Sequence, residues 1–108
     1  MPEKTSSAKR RYQRIELPQG MAVAWQESSR KEVARVKTLS LGGLFIAAPD
    51  PPAVGTSLKL IFEVPGGHVR ARAVVRSSLP GKGMGIEFTA MNYEDRGRLA
   101  MLLKRLLH

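Results

Sequence analysis

The sequence predicts a mainly β domain: about six short strands forming a small barrel or sandwich, then one C-terminal helix. Three observations predict it. Apolar residues alternate with polar ones over several runs of five to nine residues. Clusters of Pro and Gly separate these runs. The last stretch changes to helical spacing, after an asparagine placed to cap it.

The elements follow in order. Residues 1–8 are polar and offer little to bury, so they read as a tail. Leu17-Pro18-Gln19-Gly20 reads as a turn. Over Gly20–Gln26, Met21, Val23 and Trp25 share the buried face of a strand. Ser28–Lys31 reads as a hairpin loop, and Glu32–Lys37 as the second strand. Leu44–Ala48 is a short apolar strand that Pro49-Asp50-Pro51-Pro52 must end, because proline cannot donate to a ladder.

Ser57–Val64 places Leu58, Leu60, Phe62 and Val64 on one face. Pro65-Gly66-Gly67 turns the chain into His68–Arg76, where Val69, Ala71, Ala73 and Val75 face inward. Leu79–Gly83 turns it again, and Met84, Ile86 and Phe88 mark the last strand. Asn92 is the expected helix cap, with the Asp95 carboxylate expected to reach back to it. Leu99, Leu102, Leu103, Leu106 and Leu107 form one apolar helix face, expected to plug the barrel mouth or to pair with another subunit.

Composition narrows the function. The 108 residues suit one domain. The absence of cysteine excludes disulfides and thiolate metal sites, and suits a cytoplasmic protein. No apolar run is long enough to span a bilayer, and Met1–Lys4 does not start a signal peptide. Eighteen Lys and Arg against nine Asp and Glu leave a charge of +9, which favours an anionic partner. No nucleophile–base arrangement, P-loop or dinucleotide fingerprint is present, which argues against an enzyme. His68 and His108 lack partners for a metal site.

Two stretches carry chemistry. Lys9-Arg10-Arg11-Tyr12-Gln13-Arg14 concentrates guanidinium groups just before the first strand. Each offers a planar fork that matches phosphate bidentately and reads the O6/N7 edge of guanine. Tyr12 is placed either to stack on a purine or to anchor the tail. The second stretch is Thr38-Leu39-Ser40-Leu41-Gly42-Gly43, with hydroxyls at alternate positions. Its glycines permit positive φ and leave backbone amides bare for an anion, although Ser-x-x-Gly is also an ordinary turn.

Arg10-x-x-x-Arg14, followed by the Ser40-x-x-Gly43 element and the late Gly83-Met84-Gly85-Ile86-Glu87-Phe88 strand, resembles the PilZ domain family over nearly the whole chain. The resemblance implies a six-stranded antiparallel β-barrel with a C-terminal helix near residues 92–107. It implies cyclic di-GMP as ligand, with no cofactor. Residues 1–14 would be a flexible segment carrying the arginine motif, and residues 15–108 the barrel and helix. Arg10 and Arg14 match the arginines that engage phosphates and guanine, and Arg11 lies between them. Ser40 matches the serine near a phosphate or guanine, and Gly43 the glycine of the turn, with Gly42 beside it. Thr38 departs from the family, which usually has Asp or Asn there.

The expected function is a cyclic di-GMP receptor whose arginine segment orders on the ligand and signals to an effector protein. The alternative is a PilZ-fold interaction adaptor with weak or lost nucleotide binding, motivated by Thr38. A nucleic-acid-binding barrel fits the charge but lacks aromatic platforms. Arg70, Arg72 and Arg76 read as a solvated outer stripe, and Arg35 and Lys37 as solvated or adding positive potential near Thr38. Monomer and homodimer both remain open.

Overall fold

A computed structural model describes residues 14–107, and of residues 18–20 the backbone only. Six strands precede one helix: β1 (Ile15–Glu27), β2 (Arg30–Leu39), β3 (Gly43–Ala47), β4 (Ser57–Val64), β5 (Gly67–Leu79), β6 (Gly83–Met91) and α1 (Tyr93–Leu106). The strands close into an antiparallel barrel in the order β1-β2-β3-β6-β5-β4. The barrel and its helix are those expected from the sequence.

Period-two alternation fills the interior. Val23 and Trp25 of β1, Leu58, Leu60 and Phe62 of β4, and Val69, Ala73 and Val75 of β5 are all buried. Trp25 is core, as its neighbours predict, but its indole Nε1–H finds no acceptor among the described residues. Turn chemistry sets the hairpins. Pro65-Gly66 joins β4 to β5, with Gly66 at φ 93°, which suits glycine at the second central position of a type II turn. Ser28 sits at φ 53° between β1 and β2. Residues 48–56 cross an end of the barrel, tied by Ala48 N to Lys82 O (3.1 Å), Gly81 N to Pro49 O (2.8 Å) and Gly55 N to Val75 O (2.8 Å).

Three sequence expectations need correction. Leu17–Gly20 is not a separate turn: it lies inside β1, where pairing to β2 jumps from Glu16↔Thr38 to Met21↔Val36. The Pro and Gly mark an irregularity that the strand absorbs. Asn92 caps the helix through Oδ1, which accepts from Asp95 N at 2.7 Å, but the Asp95 carboxylate does not reach back. It accepts from the Arg70 backbone N–H (3.0 Å) and from Arg98 (2.8 Å), so it fastens the helix to β5. The leucine face is only partly used. Leu99 and Leu103 are buried against the barrel, while Leu106 and Leu107 are exposed.

Candidate functional site

The motif residues within the described chain meet on the outer face of the barrel. Arg14, Thr38, Ser40, Gly42 and Gly43 line one hollow of about 460 Å³, together with Phe45, Arg76, Ser77, Gly85 and Glu87. The volume lies in the range of small-molecule sites. Arg10, Arg11 and Tyr12 fall outside the described residues.

Two β-bulges frame this hollow. On β2, Val36 pairs with Ile46 and Thr38 with Phe45, so Lys37 is the extra residue. Val36 and Leu39 both point inward, and the bulge leaves Thr38 on the outer side. On β5, Val75 pairs with Ile86 and Ser77 with Gly85, so Arg76 is extra. Ser77 Oγ there accepts from the Gly85 N–H at 3.1 Å, completing the disturbed ladder. The bulges present Thr38 and Arg76 on either side of the β3–β6 pair.

Glycines make the floor of the hollow. A Cβ at Gly43 would stand 1.9 Å from Ile86 O; Gly83, outside the hollow but on the same seam, would put one 2.1 Å from Ile46 O. A Cβ at Gly85 would meet Ser77 Oγ at 2.5 Å. The Phe45 ring lies across Gly83 and Gly85 and walls the hollow with an aromatic surface. Gly43 is therefore required for close backbone approach, and the positive φ expected of the turn glycines occurs elsewhere, at Gly55, Gly66, Gly67 and Gly81.

The Ser40 turn also departs from expectation. Its backbone N–H donates to Gly43 O at 2.9 Å. Its Oγ accepts from the amides of Gly42 (3.1 Å) and Gly43 (3.2 Å), and donates to Gly43 O (3.3 Å). Those amides are not bare. The Ser40 hydroxyl builds the loop by the local side-chain bonding typical of serine at turns.

Among the described residues, the cations of the hollow are Arg14 and Arg76. Arg14 is exposed at the mouth. Arg76 Nε donates to Glu87 Oε1 at 2.5 Å, and Glu87 pairs across the seam with Gly43. Arg76, Glu87, Ser77 and Phe45 are the lining residues that sequence reasoning missed. Arg76 is exposed as expected, but its bulge sets it apart from Arg70 and Arg72. Alternation carries no sign of a bulge, because a bulge depends on the partner strand's register.

A larger hollow, of about 900 Å³, opens on another wall between β1, β4 and β5. Its lining mixes Ala24, Ile61 and Met91 with Lys31, Lys59, Arg70 and Arg72. Size favours it, but it gathers none of the motif residues, so chemistry favours the smaller one. Among the described residues no cluster of His, Asp or Glu is arranged to hold a metal, and no helix is long and apolar enough to cross a membrane.

A closed six-stranded barrel with a C-terminal helix, and with Arg14 and the Thr38–Gly43 turn on one outer hollow, defines the class of domain. The PilZ domain family model matches residues 8–105, and the chain belongs to that family. Among solved structures, it is similar to the Bacillus subtilis inhibitor of motility MotI/DgrA (TM-score 0.76, 23% identity, 91% of this chain and 51% of that one). It is similar to Borreliella burgdorferi PlzA, solved in complex with c-di-GMP (TM-score 0.71, 17% identity, 99% of this chain and 44% of that one). It is also similar to the PilZ domain of CeSA from a cellulose-synthesising bacterium (TM-score 0.66, 19% identity, 89% of this chain and 99% of that one). The chain spans about half the length of the first two. No curated protein matches.

Proposed function

We propose that the hollow over the β3–β6 seam binds cyclic di-GMP, and that the chain is a bacterial, cytoplasmic receptor or adaptor rather than an enzyme. The observation that carries this is the convergence of Arg14, Thr38, Ser40, Gly42 and Gly43 on one hollow, though they come from separate parts of the chain. The PilZ family membership and the ligand held by PlzA support the same reading. Arg10 and Arg11 precede Arg14 by only a few residues, so they would close over the ligand from the same side. Ordering of residues 1–14 on a dianion would change the surface offered to an effector protein.

Calorimetric titration with cyclic di-GMP tests this. Saturable binding should weaken by about ten- to a hundredfold in Arg14→Ala, the loss of one charge-assisted contact. No heat at high ligand concentration would refute the receptor reading. Ser40→Ala is the poorer probe, because it also removes the hydroxyl that holds the turn.

Thr38 supports a second reading, an interaction adaptor whose nucleotide site has decayed. Its single hydroxyl stands where the family usually carries a carboxylate or carboxamide. Thr38→Asp decides between the two. A gain of tenfold or more, of the size of one base contact, would show a degenerate native site, and an unchanged or weaker affinity would show a working one.

A further inference from the structure

We infer that the Arg76–Glu87 pair is a guanine-selective reader on the wall of the hollow, choosing cyclic di-GMP over cyclic di-AMP. The inference rests on the proposed nucleotide site and adds the residues that set its base preference. Arg76 Nε donates to Glu87 Oε1, which leaves the two Nη groups and Oε2 outside that contact. The pair thus displays a donor beside an acceptor at fixed spacing. Both residues line the hollow, and the bulge at Arg76 and the Gly43↔Glu87 pairing hold them there.

Guanine presents the complementary order on its perimeter: the O6 acceptor, then the N1–H donor, with the N2 amino group following. An Arg76 Nη–H donates to O6 while Glu87 Oε2 accepts from N1–H. Adenine reverses both signs, with an N6 amino donor facing the guanidinium and an N1 acceptor facing the carboxylate. A site built on hydrogen bonds rejects a ligand that leaves its polar groups unpaired or opposed. Phe45, on the same wall, supplies a flat surface to hold the base in register with the pair. Glu87 opposes a dianion by charge, but Arg76 neutralises it, and Arg14 remains to meet phosphate.

The test is calorimetric titration of the full chain with cyclic di-GMP and with cyclic di-AMP, for the wild type, Glu87→Gln and Glu87→Ala. The readout is the ratio of the two affinities, since removing a negative charge strengthens both dinucleotides alike. The wild type should prefer cyclic di-GMP by at least about a hundredfold, and both variants should narrow that ratio by about tenfold or more. Thermal melts should move little, because the pair is an exposed ion pair. A wild type that binds cyclic di-GMP, with a ratio unchanged in both variants, overturns the inference and leaves the receptor reading standing. A wild type that binds neither dinucleotide overturns both.

Discussion

At the scale of single residues, the site rests on places where a side chain is missing or turned to local use. Gly43 is the sharpest case. Any Cβ there drives into the Ile86 carbonyl, a backbone atom that cannot move without parting β3 from β6. Gly43→Ala should cost about 1–3 kcal/mol in chemical denaturation, the usual range for overpacking. A loss below about 0.5 kcal/mol would mean the seam can open at no penalty. Trp25 carries the opposite defect, a buried N–H with no acceptor among the described residues. Trp25→Phe removes that unsatisfied donor as well as some volume, so denaturation should show a smaller loss than the 3–5 kcal/mol typical of truncating a core Trp to Ala. The motif glycine was legible in the sequence, but its reason was not. Positive φ is a local property, whereas the Ile86 carbonyl lies far along the chain and enters only through strand pairing.

At the scale of elements, the helix is fastened at its start and loose at its end. Asn92 caps it, Asp95 ties its first turn to the backbone of β5, and Leu99 and Leu103 enter the core. Leu106 and Leu107 remain in solvent. Leu99→Ala should therefore cost about 2–5 kcal/mol by cavity formation. Leu106→Ala should stay within about 0.5 kcal/mol, as expected of an exposed position. Equal losses in denaturant titrations would refute this division. The sequence showed the helix, its cap and its apolar stripe, because all three are local patterns. It could not show where the stripe stops being covered, since that depends on how far the barrel mouth reaches. Asp95 was similarly misread. A carboxylate at the third helical position fits a capping box, and only the nearby Arg70 amide redirects it.

At the scale of the whole molecule, the charge of +9 separates the rival ligands. A dianionic dinucleotide releases few counterions, so its log affinity should fall with log salt by a slope of about two or less. An oligonucleotide spread over Lys31, Lys59, Arg70 and Arg72 would show a steeper slope, since log affinity scales with the number of phosphates contacted. Titrations at several salt concentrations would distinguish them, and strong, salt-steep oligonucleotide binding would revive the nucleic-acid alternative. Six strands and a helix were legible because turn residues and alternation recur along the chain. The hollow was half legible: its motif residues stood out in the sequence, while Phe45, Arg76, Ser77 and Glu87 came into view only once four strands were laid side by side.

The bulges at Lys37 and Arg76 have a consequence for how this barrel tolerates change in length. Each is a one-residue phase slip that lets an inward sequence be followed by two outward positions. Removing Lys37 or Arg76 alone would close its slip and restore strict alternation with the neighbours on their present sides: Leu39 stays inward, and Thr38 and Ser77 stay on the outer face. Losing a single residue elsewhere in either strand would instead turn the residues beyond it to the opposite face. These two positions are therefore where the barrel can shorten by one residue without inverting the wall of the hollow.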